Sequence, residues 1–384
     1  MKLSDLAELI NGYSFQSDKY TDKGIRVIRI TNVQDGFIVD NTPCYYPSEY
    51  KEKIGNAILQ ENDLLMSLTG NIGRVAMVDK SLLPAGLNQR VICIRPNNKK
   101  LIKYLYYYFQ NNKFKDDAIK FSSGSAQLNM STIWLSNYDI KIYNNSETDF
   151  IVKNLDRLNR QILLCRQKVK FYDELIKSRF NEMFGTLDLY EKKVDWVEIK
   201  KLTQKIFTGT TPSTSDDSNW DGDILWITPA EMNDNSFYIT DTVRKITEKG
   251  RKSKSLEIMP INTVLLSTRA PIGKVGIVGK EMCCNQGFKN FQCNEKLNHI
   301  FLYTLLRNNT QYLNSLGSGT TFMELSKSKI LKVKIPCPPI HVQNKFASFV
   351  EQIDKLKFIA HKKVELYTEL FNKKMDEYFS DTQG

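Results

Sequence analysis

The run STRAPIGKVGIVG, Ser267 to Gly279, repeats in outline a run two hundred positions earlier, SLTGNIGRVAMVD, Ser67 to Asp79. Each sets small polar side chains, Ser67, Thr69 and Asn71 or Ser267, Thr268 and Arg269, before an Ile-Gly step and one long cation, Arg74 or Lys274. Hydroxyls, amides and guanidinium groups are the types that bond phosphates and base edges. The glycine lets the backbone turn sharply or approach a surface closely. Taken once, such a run reads as a hairpin with a solvated cation; its recurrence points to binding.

Other polar runs occur at matched positions. Asn88, Gln89 and Arg90 match Asn285, Gln286 and the following run to Lys289, and they offer amides suited to adenine and cations suited to guanine or phosphate. SSGSAQ, with Ser125 and Gln127, matches GSGTT, with Thr320 and Thr321. FTGTTPSTSDDSNW carries Thr208, Thr210 and Thr211 and has a weaker counterpart in NGYSFQSDKY. Glu231 could accept from a cytosine amino group.

No constellation for catalysis accompanies these groups. The three histidines, His299, His341 and His361, are scattered, and no CxxC or HExxH occurs. Cys283-Cys284 therefore reads as buried sulfur rather than a metal pair. Neither GxxxxGK[ST] nor GxGxxG is present. The expectation is a chain that is not catalytic alone and holds no cofactor or metal itself.

The 384 residues suffice for two or three domains, each with its own core. Lys and Arg number 54 against 43 Asp and Glu, a net charge of +11 that favours an anionic partner. There is no long apolar run or lipidation signal, which ranks a membrane last. Seven irregularly placed cysteines fit a reduced cytoplasm.

The elements that must position the polar runs also recur. Gly12 and RVIRITN (Arg26 to Asn32) match Gly209 and DILWITP (Asp223 to Pro229), and YLYYYF (Tyr104 to Phe109) matches FLYTLL (Phe301 to Leu306). The order of matches is kept throughout, so the chain reads as a tandem repeat. Short strands such as VAMV, VICI, KVGIV and FKNFQC, followed by one aromatic-rich helix per repeat, give mixed α and β. The tyrosines 104 and 106–108 read as core rather than as base-stacking platforms, because FLYTLL is mostly aliphatic.

Each repeat closes with a helical seam. Ile151, Leu155, Leu158, Ile162, Cys165, Val169, Tyr172 and Ile176 alternate spacings of four and three. The second seam is Phe346, Val350, Ile353, Lys357, Ala360, Val364, Tyr367 and Phe371, broken only by Lys357. Gly185 stops the first helix, and Pro336, Pro338 and Pro339 precede the second. Each would run about 35 residues, roughly 50 Å, and the two should pair antiparallel. The expected fold is α+β: globular domains at 1–149 and 186–340, with long helices at 150–184 and 341–380 forming an antiparallel coiled coil in a pseudo-twofold arrangement.

Two halves with an Ile-Gly-Arg/Lys-Val loop, an Asn-Gln step and a Ser/Gly-rich loop, each leading to a coil, resemble the specificity subunit of type I restriction-modification systems. The resemblance spans essentially the whole chain. It implies two target recognition domains, each reading one half of a bipartite site in double-stranded DNA, joined by coils that set the spacer. It further implies docking of two modification (methyltransferase) subunits and, in a restricting system, two restriction subunits. S-adenosylmethionine, ATP and Mg would then belong to those partners. The alternatives from the residues alone are a non-catalytic assembly scaffold and a nuclease built from scattered carboxylates.

Overall fold

The sequence repeat is a repeat of strand topology. The computed structural model describes residues 1–124, 128–185, 195–232, 237–269, 271–315 and 325–380. They divide into two compact units, Met1–Arg166 with His361–Gly384, and Gln167–Ala360.

In the first unit a four-stranded antiparallel sheet runs in the order Ala7–Asn11, Val91–Pro96, Leu64–Ser67, Val75–Met77. Beside it, Ile25–Ile28 pairs antiparallel with Tyr45–Tyr46 and parallel with Ala85–Leu87. The second unit repeats both patterns. Thr203–Phe207, Asn290–Cys293, Val264–Leu266 and Val275–Val278 form the antiparallel set, extended by a parallel edge strand, Tyr238–Ile239. Trp220–Ile227 lies between antiparallel Arg244–Ile246 and parallel Met282–Cys284.

Period-two alternation sends successive side chains to opposite faces of a strand. Leu64 and Met66 face the helix Leu101–Tyr108, while Leu65 between them joins Val27 and Leu87 of the smaller sheet. Val264 and Leu266 likewise face the helix His299–Asn308, and Leu265 turns the other way. The tyrosines of the first helix are core. Tyr104, Tyr106, Tyr107 and Tyr108 are all buried, and their hydroxyls donate to Lys141 O, Gly36 O, Asp156 Oδ1 and Asp139 O. Their rings therefore have no exposed face for stacking bases.

Both long helices form, each of 40 residues, at Asn145–Phe184 and Ile340–Phe379. The first begins ahead of its apolar seam because Asn144 and Glu147 cap each other's backbone N–H groups, at 2.9 and 3.2 Å. Gly185, at φ +84°, ends it. Before the second helix, the buried Gln343 amide donates to Pro338 O at 2.7 Å and to Lys296 O at 3.0 Å, fixing the turn after the prolines.

Within each unit the helices pack antiparallel. In the first, Ile151 and Leu155 share a core with Met375 and Phe379, and Asn154 donates to the Tyr378 hydroxyl. In the second, Phe180 and Phe184 pack their rings 5.4 and 5.5 Å from that of Phe346. Each unit thus takes a share of both helices, so the boundaries expected at 149 and 340 fall inside units rather than between them. Among the described residues, no helix is long and apolar enough to cross a membrane.

Candidate nucleic-acid interface

The two Ile-Gly loops are hairpin turns of one design. Ser67 N donates to Arg74 O at 3.0 Å, and Gly73 N to Ser67 O at 3.1 Å. In the second unit Ser267 N donates to Lys274 O at 2.9 Å, and Gly273 N to Ser267 O at 3.0 Å. Gly73 and Gly273 have φ of +76° and +95°, the left-handed region that a Cβ disfavours. Each serine hydroxyl staples its loop: Ser67 Oγ donates to Asn71 O and accepts from Arg74 N, and Ser267 Oγ donates to Pro271 O and accepts from Lys274 N. Both serines are buried, which corrects their assignment as DNA contacts. Thr268, also buried, donates through its backbone and hydroxyl to Gly287 O.

The Asn-Gln turn lies against this hairpin in both units, through Leu68 N to Arg90 O at 3.3 Å and Thr268 N to Gly287 O at 2.7 Å. Glycine lets a third segment cross the same turn. A Cβ at Gly12 would lie 2.1 Å from Asn88 O, and one at Gly209 would lie 1.8 Å from Cys284 O. The polar runs that the sequence separates by up to eighty positions therefore converge within each unit.

In the first unit Thr31, Gln34, Ser67, Thr69, Asn71, Arg74 and Arg90 line one cavity of about 280 Å³. Arg74 Nη1 donates to Gln34 Oε1 at 2.7 Å, which orients the guanidinium. Thr69 Oγ1 faces no hydrogen-bond partner among the described residues. Asn71, Gln89 and Arg90 are exposed, and Asn88 is half-buried. Thr31 and Gln34 escaped the sequence reading. A signal for them existed, because a shift of 197 carries Thr31 onto Thr228 and Gln34 onto the singled-out Glu231.

In the second unit the equivalent groups are wired differently. Lys274 Nζ donates to Pro229 O at 2.9 Å. Glu231 accepts from Thr228 N and Oγ1, both at 2.9 Å, and from Val243 N at 2.7 Å. Its carboxylate thus caps a turn and holds a neighbouring strand, so the reading of Glu231 as an acceptor for cytosine is corrected. Lys289 is also corrected: it is only 9% exposed, and its Nζ donates to Phe288 O. By register Lys289 follows an inward position, where the first unit has Ile92. Thr208, Arg269 and Gln286 are exposed, and Thr211 Oγ1 donates to Gln286 Oε1 at 2.8 Å. Trp226 Nε1 donates to Thr210 O at 3.2 Å. Ser125, Gln127, Thr320 and Thr321 lie outside the described residues.

The cysteine pair is buried sulfur. Burial pushes the Cys283 thiol up to about 11 and the Cys284 thiol up to about 12. Among the described residues, no group of three His, Cys, Asp or Glu side chains is placed to hold a metal ion.

The chain is 37% identical over 187 residues to the type I restriction enzyme MjaIX specificity subunit of Methanocaldococcus jannaschii, a match covering 47% of this chain and 43% of that relative. The match thus spans less than half of that relative's length. It is 24% identical over 394 residues to the type I restriction enzyme EcoBI specificity subunit of Escherichia coli, covering 92% of this chain and 78% of the relative. The crystal structure of a type I restriction-modification S subunit from M. genitalium superposes with a TM-score of 0.62 at 12% identity, over 100% of this chain and 96% of that one, and so shares the fold. A family model described as "Type I restriction modification DNA specificity domain" matches residues 1–170 and again 191–368. With two such matches over nearly its whole length, the chain belongs to the type I restriction-modification DNA specificity domain family.

Proposed function

We propose that this chain selects the target sequence for a type I restriction-modification complex. Each unit reads one half of a bipartite site in double-stranded DNA, and the chain does no chemistry alone. The observation that carries this reading is the twofold occurrence of one loop framework carrying unlike side chains. The serine staple, the left-handed glycine and the Gly12 or Gly209 crossing recur, while Gln34 with Arg74 is replaced by Glu231 with Lys274. Equal frameworks carrying unlike loop side chains suit two half-sites of different sequence. The net charge of +11 supports salt-sensitive affinity for phosphates.

The long helices set the unread spacer and dock two modification subunits, joined in a restricting system by two restriction subunits. Apolar side chains left exposed along them, Leu163, Leu164 and Leu366 in the first unit and Phe171 and Phe358 in the second, support docking. S-adenosylmethionine, ATP and Mg belong to those partners.

The test is exchange of residues 1–149 for the corresponding part of another family member, followed by mapping of methylated sites in cells that supply the partner subunits. One half-site should change and the other persist. Two unchanged half-sites would refute the assignment of the units as readers.

A further inference from the structure

Arg244 stands on an edge strand of the smaller sheet of the second unit, and its side chain is exposed. Its guanidinium carbon lies 3.4 Å from the centroid of the Trp220 ring, the distance of a flat stack. Among the described residues, no carboxylate or carbonyl bonds this guanidinium. Among these residues its N–H fork is unspent, and the guanidinium rests against the indole.

The platform is itself rigid. Trp220 is buried, its Nε1 donates to Ser213 O at 3.0 Å, and Trp226 meets it edge-on at 5.2 Å and 83°. Trp226 Nε1 in turn holds Thr210 O. The two indoles thus bracket the loop that carries Thr208, Thr210 and Thr211. The residue preceding Arg244 is tied to the same group of loops, since Val243 N donates to Glu231. Lys274 Nζ donates to Pro229 O and Val243 N to Glu231, so the backbone entering Arg244 is tied to the turn that the hairpin cation reaches.

We propose that Arg244 reads a guanine, its Trp220-stacked fork donating to O6 and N7 in the major groove of the half-site bound by the second unit. This rests on the function proposed above. Guanine is the base that presents two adjacent acceptors on that edge, and a planar guanidinium matches them bidentately. Stacking holds the fork in one orientation and reduces the side-chain entropy lost on binding. The first unit has the inverse arrangement. There the ring, Tyr45, is on the edge strand, and the cation, Arg26, is neutralised by Asp40 at 2.8 Å. A guanine contact of this kind therefore belongs to one half-site only.

The experiment takes the purified full chain and its Arg244→Ala and Arg244→Lys variants, with melting curves to verify the fold. Each is used to select from a pool of random duplex DNA. The selected duplex and its single-base variants are then titrated by fluorescence anisotropy at two salt concentrations. Arg244→Ala should lose the preference for guanine at one position of one half-site and bind the selected duplex about ten- to a hundredfold more weakly. The other half-site should be unchanged. Arg244→Lys should keep the salt dependence yet lose the guanine preference, because an ammonium lacks the fork. Unaltered preferences in Arg244→Ala would overturn the proposal. So would a uniform loss over all duplexes with a shallower salt slope, which marks a phosphate contact. If the unaltered chain itself selected no sequence, the proposed function would fail, and this inference with it.

Discussion

Lys357 Nζ donates to Asp173 Oδ1 at 2.7 Å and fills the single polar position in the second apolar seam. The lysine is 6% exposed, whereas a third of the Asp173 side chain remains accessible. Removing the acid strands a buried ammonium, whereas removing the base leaves a carboxylate that water and Arg307, 3.6 Å away, still reach. Asp173→Ala should therefore lower stability by about 1–3 kcal/mol, discounted for the partial exposure of the pair. Lys357→Met should be close to neutral. Urea titrations of both single variants and the double variant check this, and equal losses in the two singles would contradict it.

Gly12 and Gly209 allow one backbone to cross another where no Cβ fits. Unlike a flexible side-chain end, the opposing Asn88 and Cys284 carbonyls cannot swing aside. Gly12→Ala and Gly209→Ala should each cost about 3 kcal/mol, at the upper end for overpacking. Each should also displace the adjacent Asn-Gln turn and weaken DNA binding. Denaturation midpoints and anisotropy titrations would reveal either effect, and a neutral Gly209→Ala would show that the crossing is not tight.

Much of this architecture was legible in the residues. The long helices declare themselves through seams at Ile151 to Ile176 and Phe346 to Phe371, and the repeat through Gly12, Gly209 and the Ile-Gly loops, because periodicity and backbone demands are local properties. The start of the first helix was hidden because Asn144 and Glu147 act ahead of the seam. The site was legible as a set of loops but not as a set of contacts. Ser67 and Ser267 have the chemistry to bind DNA and spend it on their own turns, and Glu231 spends its carboxylate on Thr228 and Val243. Residue type states what a group can bond. Only the fold states what it has already bonded.

That division separates the hairpin serines from the hairpin cation. Ser67→Ala deletes a buried donor to Asn71 O and an acceptor for Arg74 N, and should cost about 1–3 kcal/mol of stability. Ser267→Ala should behave alike, and neither should change which bases are preferred. Arg74→Ala should instead leave the melting temperature nearly unaltered. It should weaken DNA binding several-fold and lower the salt slope by about one if the guanidinium meets a phosphate. A thermal melt paired with a salt-titrated binding curve separates the two classes of residue.

His299 opens the helix His299–Asn308, whose first-turn N–H groups of Ile300 and Phe301 are capped by the Asn298 side chain. Burial lowers its pKa from the ordinary value of 6.5, and its Nε2 lies 3.2 Å from the Tyr238 hydroxyl. Above 6.5 the imidazole is neutral in both the folded and the unfolded chain, and its contribution to stability is fully present. As the pH falls through 6.5, the unfolded chain takes up a proton that the folded one resists, so stability is lost until the lowered folded value is passed. The urea midpoint should therefore drop between pH 7.5 and 5.5, and the drop should shrink in His299→Gln, which keeps a polar side chain without a titrating group. Glu248, held at about 2 by Arg251, stays ionised across this window and cannot mimic the effect. An identical fall in the wild-type chain and His299→Gln would place the pH sensitivity elsewhere.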